Sequence, residues 1–317
     1  MKLCPSSAEE LARSLRDASQ AASRIERIDL SALSRILEHA PEDMTVTVEA
    51  GATLASLQRA LASRGQWLPV DPPHPERLTL AGLLDTNASG PRRAGFGTIR
   101  DYVIGLRVAL ADGRLIRSGG KVVKNVAGYD LMKLFIGARG TLGVIVEVTF
   151  KLLPLPEAEA FVQCRFDTLE PAERLIAAVL DSELRPTVFD LHNLSAASAS
   201  ASTLSLILGF SGARSPVDWQ LDQARSLGFT ESATLQYDAA FHTIDLPPPH
   251  RVSLLPSRLV ETLRCLGNVP FVARVANGVV HDRGTPPSLQ SGPTQHKLMR
   301  RVKETFDPEG VFPDFPL

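Results

Sequence analysis

Apolar residues recur along this chain in two rhythms, and the switches between them mark its elements. Behind Ser7 and Glu10, which make a capping-box pattern, Leu11 and Leu15 stand four apart and predict an opening helix. Leu33, Ile36 and Leu37 in SALSRILEH repeat the spacing of a short amphipathic helix, whereas TVTVEA from Thr45 alternates like a strand. Thr53 then caps a predicted helix whose Leu54, Leu57 and Leu61 share one face and which Gly65 ends. The stretch from Asp71 to Gly90 mixes proline, glycine and a polar turn, and reads as an ordered loop carrying a short helix. YVIGLRVAL and RLIRSGG flank Asp112-Gly113, a hairpin signal. From Val144, Val146, Val148 and Phe150 alternate with Ile145, Glu147, Thr149 and Lys151, again the period of a strand.

Beyond Pro154 and Pro156 the pattern starts afresh, because proline cannot continue a ladder. FVQCRF predicts a strand, EPAERLIAAVLDSEL a helix, and TVFDLHN and STLSLILGF two further strands. A helix follows, capped by Ser215 with Pro216 in its first turn, and then a strand in SATLQYD. That order is β-α-β-β-α-β, the split ferredoxin-like unit. SAASASAST, between its central strands, is low in complexity and reads as a mobile loop. RVSLL, PSRLVETLRCL and PFVARVANGVV add a strand, a helix and a strand, and the tail closes with a helix and an Asp-Pro turn expected to dock. The fold class expected is α+β, with units at 1–153 and 157–285 and a docking segment at 286–317.

The stretch from Gly119 to Lys151 is more than core. Gly137, Gly140 and Gly143 recur every third residue, a density that lets backbone approach a second segment or a ligand closely. Together with the Asn-Val-Ala-Gly-Tyr-Asp turn at 125–130, the stretch reads as the edge of a cofactor site. Charge narrows the partners. With 34 basic and 35 acidic residues the net charge is -1, so no broad field favours nucleic acid or anionic lipid, and small acidic ligands need local groups. Cys4, Cys164 and Cys265 lie far apart and read as reduced thiols, which argues against zinc or an iron–sulfur centre on this chain. The seven histidines show no metal-ligand spacing, and G-x-G-x-x-G, the P-loop and G-x-S-x-G do not occur. No apolar signal core and no run of spanning length is present, so a cytoplasmic location is expected.

Two motifs carry a family resemblance. TLAGLLDTNASGPRRAGFGTIRDYVIGL and GGKVVKNVAGYDLMKLFIGARGTLGVIVEVTFKLLP resemble the vanillyl-alcohol-oxidase-type (PCMH-type) FAD-binding domain. Within that family they look most like the FAD-binding subunits of bacterial glycolate oxidase, the E-type subunit in particular. The resemblance implies a PCMH-type domain followed by a ferredoxin-like α/β domain, and FAD as cofactor. It places Thr79, Leu80, Ala81 and Gly82, with Thr86, Asn87, Ser89 and Gly90, along the diphosphate and the isoalloxazine ring. Gly140, Thr141, Gly143, Val144 and Ile145 would meet the other side, through backbone N–H groups that small residues leave open to an anion. The alternative, that these glycines serve only tight turns, stays open. Departures stand beside the matches. The interval SQAASRIERID lacks the family's glycine-rich phosphate loop, Ala81 replaces a common glycine, Asp85 adds negative charge, and Arg139 replaces an acidic residue. All point to flavin binding that is weakened or lost, which Arg92 and Arg93 could partly offset by pairing with phosphate.

The activity implied is oxidation of glycolate or a similar 2-hydroxy acid to the 2-oxo acid, by hydride transfer to flavin, with electrons leaving through a partner. Such chemistry needs a general base, for which no residue stands out, and a carboxylate-binding arginine, for which Arg251 and Arg274 are candidates. A catalytic flavoprotein subunit and an iron–sulfur subunit are the implied partners, through which the chain could sit at the inner membrane. A second reading is a flavin-poor scaffold that assembles with the catalytic flavoprotein subunit, favoured by the glycine-free N-terminal interval. A stand-alone oxidase is disfavoured, since no catalytic histidine or metal constellation appears.

Overall fold

Two antiparallel sheets take up the alternating segments. The structure, a computed structural model, describes residues 1–120, 130–194, 203–243, 245–284 and 293–315. The first sheet runs in the order Ile36–Ala40, Thr45–Glu49, Val144–Lys151, Val103–Ala109, Leu115–Gly119. Its central strand, Val144–Lys151, joins Thr45–Glu49 in the register Val48↔Val148 and Val103–Ala109 in the register Leu106↔Val148. Sequence-distant strands thereby lock together, and one face buries Val48, Val148 and Phe150 against Leu54, Leu57 and Leu61 of the helix Leu54–Ala62. Thr53 caps that helix as expected, its Oγ1 accepting the Ser56 N–H at 3.2 Å.

A second apolar cluster ties distant parts of the chain to this sheet. Leu11 and Leu15 of the helix Ala8–Gln20 pack with Leu30, Leu33, Val146, Val311 and Phe312. Ser7 is the N-cap, accepting the Glu10 N–H at 3.1 Å, but Glu10 bonds Ser6 rather than closing the box on Ser7. The tail docks through the helix Pro293–Phe306: Lys303 Nζ donates to Thr141 O at 2.9 Å, to Phe312 O at 3.2 Å and to the Asp307 carboxylate.

The second sheet has seven strands in the order Glu231–Ser232, Ala158–Phe166, Leu204–Gly212, Val188–His192, Phe271–Arg274, Val279–Asp282, His250–Ser253. Its first four keep the expected ferredoxin-like arrangement, and the rest extend that edge. The helices Leu169–Leu180, Arg214–Ser226 and Leu259–Leu266 bury Ile176, Val217 and Leu263 in the core below.

Other local expectations fail for identifiable reasons. SALSRILEH is not a helix; Ile36–Ala40 is an edge strand, its Ile36 and Leu37 left exposed, because the turn at 41–44 folds it back onto Thr45–Glu49. SATLQYD pairs only at Glu231–Ser232 and continues as the helix Gln236–Phe241, which turns Tyr237 and Asp238 into a buried ion-pair centre. The helix Arg214–Ser226 begins before Ser215, so Ser215 is not its cap; Pro216 still falls in the first turn, where its missing N–H costs little. The Asn-Val-Ala-Gly-Tyr-Asp turn, apart from Asp130, and residues 195–202 of the SAASASAST segment lie outside the described residues.

Candidate functional site

The two glycine-bearing motifs meet. Thr79, Ala81 and Gly82, at the start of the helix Leu80–Thr86, face Gly140, Gly143, Val144 and Ile145 across a cleft of about 390 Å³. The remaining wall comes from residues 25–31, held in place by a two-residue parallel bridge in which Lys2–Leu3 pairs with Arg27–Ile28, and from Phe312 and Pro313 of the tail. The predicted cofactor edge is therefore a real concavity.

The other predicted residues stand back from it. Leu80 is core, Thr86 Oγ1 donates to Gly82 O at 2.7 Å, and Thr141 is buried with its hydroxyl on Ala138 O at 2.7 Å. Ser89 Oγ accepts from Arg93 at 3.2 Å, and Gly90 is pressed against Asp71, whose carbonyl oxygen would lie 1.9 Å from an added Cβ. Asn87, in the left-handed region at φ 47°, keeps its Oδ1 buried without a partner. Arg92 does not face the cleft: it bridges Asp71 at 3.0 Å and Glu159 at 2.9 Å, tying the first motif to the second sheet.

Asp85 does line the cleft, among surroundings that offer it no cation. Burial lifts its carboxyl from the usual range to about 7, opposed by the backbone N–H of Gly140. Near neutral pH this side chain is half protonated. Glu26, Asp29 and Arg27 supply the other charges of the lining, so carboxyl groups outnumber cations there.

The glycines answer to the protein's own packing. A Cβ on Gly143 would meet Val108 Cγ1 at 2.8 Å and Phe135 Cε1 at 3.2 Å. Gly140 sits at φ +69°, where only glycine is unstrained, with Asp85 Oδ2 3.6 Å from an added Cβ. Backbone conformation at Gly140 and packing at Gly143 each call for glycine.

The arginine candidates separate. Arg274 is fully buried and held by Asp190 and Asp238, with the Tyr237 hydroxyl also on Asp190 and the His192 ring stacked on Tyr237 at 4.5 Å. Its guanidinium is consumed by carboxylates of the chain. Burial, opposed by Arg274, lifts the Asp190 carboxyl to about 6, while burial and then Arg274 lower His192 to about 4 and His281 to about 2, so both rings are neutral. Arg251, opposite His281 in the strand pair, faces like charge instead: desolvation and then Arg139 lower it, and Arg93 is lowered by burial and then by Arg251. Arg93, Arg139 and Arg251 form a cationic group that periodicity could not disclose, because each comes from a different part of the chain.

Comparison with known proteins adds to this geometry. Residues 22–119 match the profile of a family described as FAD binding domain. The glycolate oxidase subunit GlcD of Bacillus subtilis (strain 168) is 37% identical over 158 residues, 50% of this chain and 34% of that protein. The glycolate oxidase subunit GlcE of Escherichia coli (strain K12) is 41% identical over 132 residues, 41% of this chain and 38% of that protein. A probable mitochondrial D-lactate dehydrogenase of Danio rerio is 38% identical over 146 residues, 45% of this chain and 29% of that protein. The chain thus spans only about a third of the length of the curated relatives it matches. In three dimensions it is similar to an alkyldihydroxyacetonephosphate synthase with a TM-score of 0.73 and 19% identity, over 98% of this chain and 76% of that one, a likeness of fold.

By its description the matched domain is one that binds FAD. Apart from Arg27, the residues at the start of the helix Leu80–Thr86 and on the facing wall offer a diphosphate little. A phosphate site needs unengaged N–H donors or cations. Here Leu80 N donates to Ala52 O at 2.9 Å, Ala81 N to Ala50 O at 2.7 Å and Gly82 N to Thr79 Oγ1 at 3.1 Å. The one orphaned atom beside them, Asn87 Oδ1, is an acceptor.

Proposed function

We propose that this chain, whose residues 22–119 match an FAD binding domain, is a subunit of a glycolate oxidase-type enzyme acting on a small 2-hydroxy acid. The observation that carries the reading is the convergence of two motifs, sixty residues apart in the chain, on one cleft shared by Thr79, Gly82, Gly140 and Gly143. The units proposed are 1–153 with the segment 286–317 docked on it, and 157–285.

A hydroxy acid presents a carboxylate, and a binding group must bring unneutralised positive charge to it. Arg251 with Arg93 and Arg139 supports that role; their mutual repulsion is relieved when an anion enters. Arg274 does not serve it, because its charge already answers two buried carboxylates. The neutral His281 beside Arg251 can accept or donate one hydrogen bond to the substrate hydroxyl. Electron transfer belongs to the partners, a catalytic flavoprotein subunit and an iron–sulfur subunit. Among the described residues no cluster of His, Cys, Asp and Glu could hold a metal, and no helix is long and apolar enough to cross a membrane.

The test is co-expression of the chain with its flavoprotein and iron–sulfur partners, followed by assay of glycolate and D-lactate oxidation with and without this chain. A complex that forms and loses 2-hydroxy acid oxidation when the chain is left out is the expected result. Failure to associate, or unchanged oxidation without the chain, sinks the proposal.

A further inference from the structure

In the described lining of this cleft most main-chain amides are engaged by the chain's own bonds and carboxylates outnumber cations, and we infer that this subunit holds no FAD there, the flavin of the assembly residing on its partner. The inference rests on the proposed oxidoreductase role and narrows it.

Three independent observations carry it. The first is the engagement of most main-chain amides on the facing segments. Opposite the engaged amides of Leu80, Ala81 and Gly82, Ile25 N donates to Val311 O, Glu26 N to Met1 O and Asp29 N to Leu3 O, each at 2.9 Å. A diphosphate that took these amides would leave the carbonyl groups of Ala50, Ala52 and Val311, all on buried residues, without their donors.

The second is the sign of the charge. A diphosphate would face Asp85, Glu26 and Asp29 with Arg27 as the sole cationic side chain in the described lining. Like charges at such range repel unless a proton or cation intervenes, and Asp85 has neither a cation partner nor full protonation at neutral pH.

The third is room. A pocket of about 300–1,000 Å³ suits a drug-sized ligand, and this one, about 390 Å³, lies near the small end of that range, whereas FAD joins two ring systems through a ribityl diphosphate. Residues 25–31 and the tail at Phe312 and Pro313 close the remainder, and Gly51 fixes the first of these, since Leu30 O lies 1.8 Å from where its Cβ would stand.

The experiment is flavin stoichiometry. The full chain, purified alone and shown folded by far-UV circular dichroism, should be colourless, release no flavin on denaturation and show no rise in Tm with FAD in large excess. If it folds only with its partners, the purified complex should contain one flavin for each copy of the flavoprotein partner. One additional flavin for each copy of this chain, or an FAD-dependent rise in Tm of the chain alone, overturns the inference. Failure of the broader reading looks different: a complex that does not oxidise 2-hydroxy acids refutes the proposed role whatever its flavin count, and an active complex with the extra flavin refutes only the inference.

Discussion

Arg139 N donates to Asp85 O at 2.9 Å, so the main chain of the first glycine-bearing motif closes a hydrogen bond onto the turn of the second. Gly137 N adds a parallel tie to Leu84 O at 2.8 Å. The two halves of the cleft are fastened to each other.

The Asp85 side chain beside these ties titrates, because burial favours its protonated form. The Asp85 carboxyl in the fold, at about 7, binds its proton more tightly than the same group in the unfolded chain, at 3.8. Its favourable contribution is complete below about pH 4, erodes as pH rises and is lost above about 7. Asp85→Asn should therefore leave stability nearly unchanged at pH 4 and raise it at pH 8 by up to a few kcal/mol, at about 1.4 kcal/mol per pKa unit less solvent screening. Urea denaturation at the two pH values checks it.

Gly143 packs against the sheet rather than a ligand. Gly143→Ala should cost about 1–3 kcal/mol of stability through contact with Val108 and Phe135, measured as a fall in the urea midpoint with an unchanged slope.

Arg274 neutralises two buried carboxylates at once. Arg274→Met should destabilise the second sheet by about 3–5 kcal/mol, because it strands Asp190 and Asp238. Fluorescence of the two tryptophans, Trp67 and Trp219, reports the shift under urea, and an unaltered midpoint would contradict the assignment.

Arg251 is the accessible arginine of the pair. In the assembled enzyme, Arg251→Ala should raise KM for the hydroxy acid about tenfold or more, the loss of one charged hydrogen bond, with Tm unmoved. A change in Tm with constant KM would assign it a structural role instead.

Much of the fold was legible because it rests on local rules. The caps at Ser7 and Thr53, the Asp112-Gly113 hairpin and the ferredoxin-like order all follow from residue spacing. What spacing could not give was partner choice. Leu33, Ile36 and Leu37 fit a helix in isolation, and only pairing with Thr45–Glu49 makes Ile36–Ala40 a strand. The same holds at the site: the motifs marked the cleft, but the engagement of its amides by Ala50, Ala52 and Val311 is set by packing from elsewhere in the chain. Asp85 was visible as an unexpected charge, whereas the consumption of Arg274 by Asp190 and Asp238 required the fold.

Lys303 binding Thr141, Asp307 and Phe312 has a consequence for biosynthesis. All strands of the second sheet lie between Ala158 and Asp282, so a nascent chain can complete that unit as it leaves the ribosome. The cluster of Leu11, Leu15 and Val146 must wait for Val311 and Phe312, some three hundred residues after it began. The later unit in sequence is thus the earlier one to mature, and the cluster around Leu11 and Leu15, joined early by Leu30, Leu33 and Val146, stays open on one side until Val311 and Phe312 arrive.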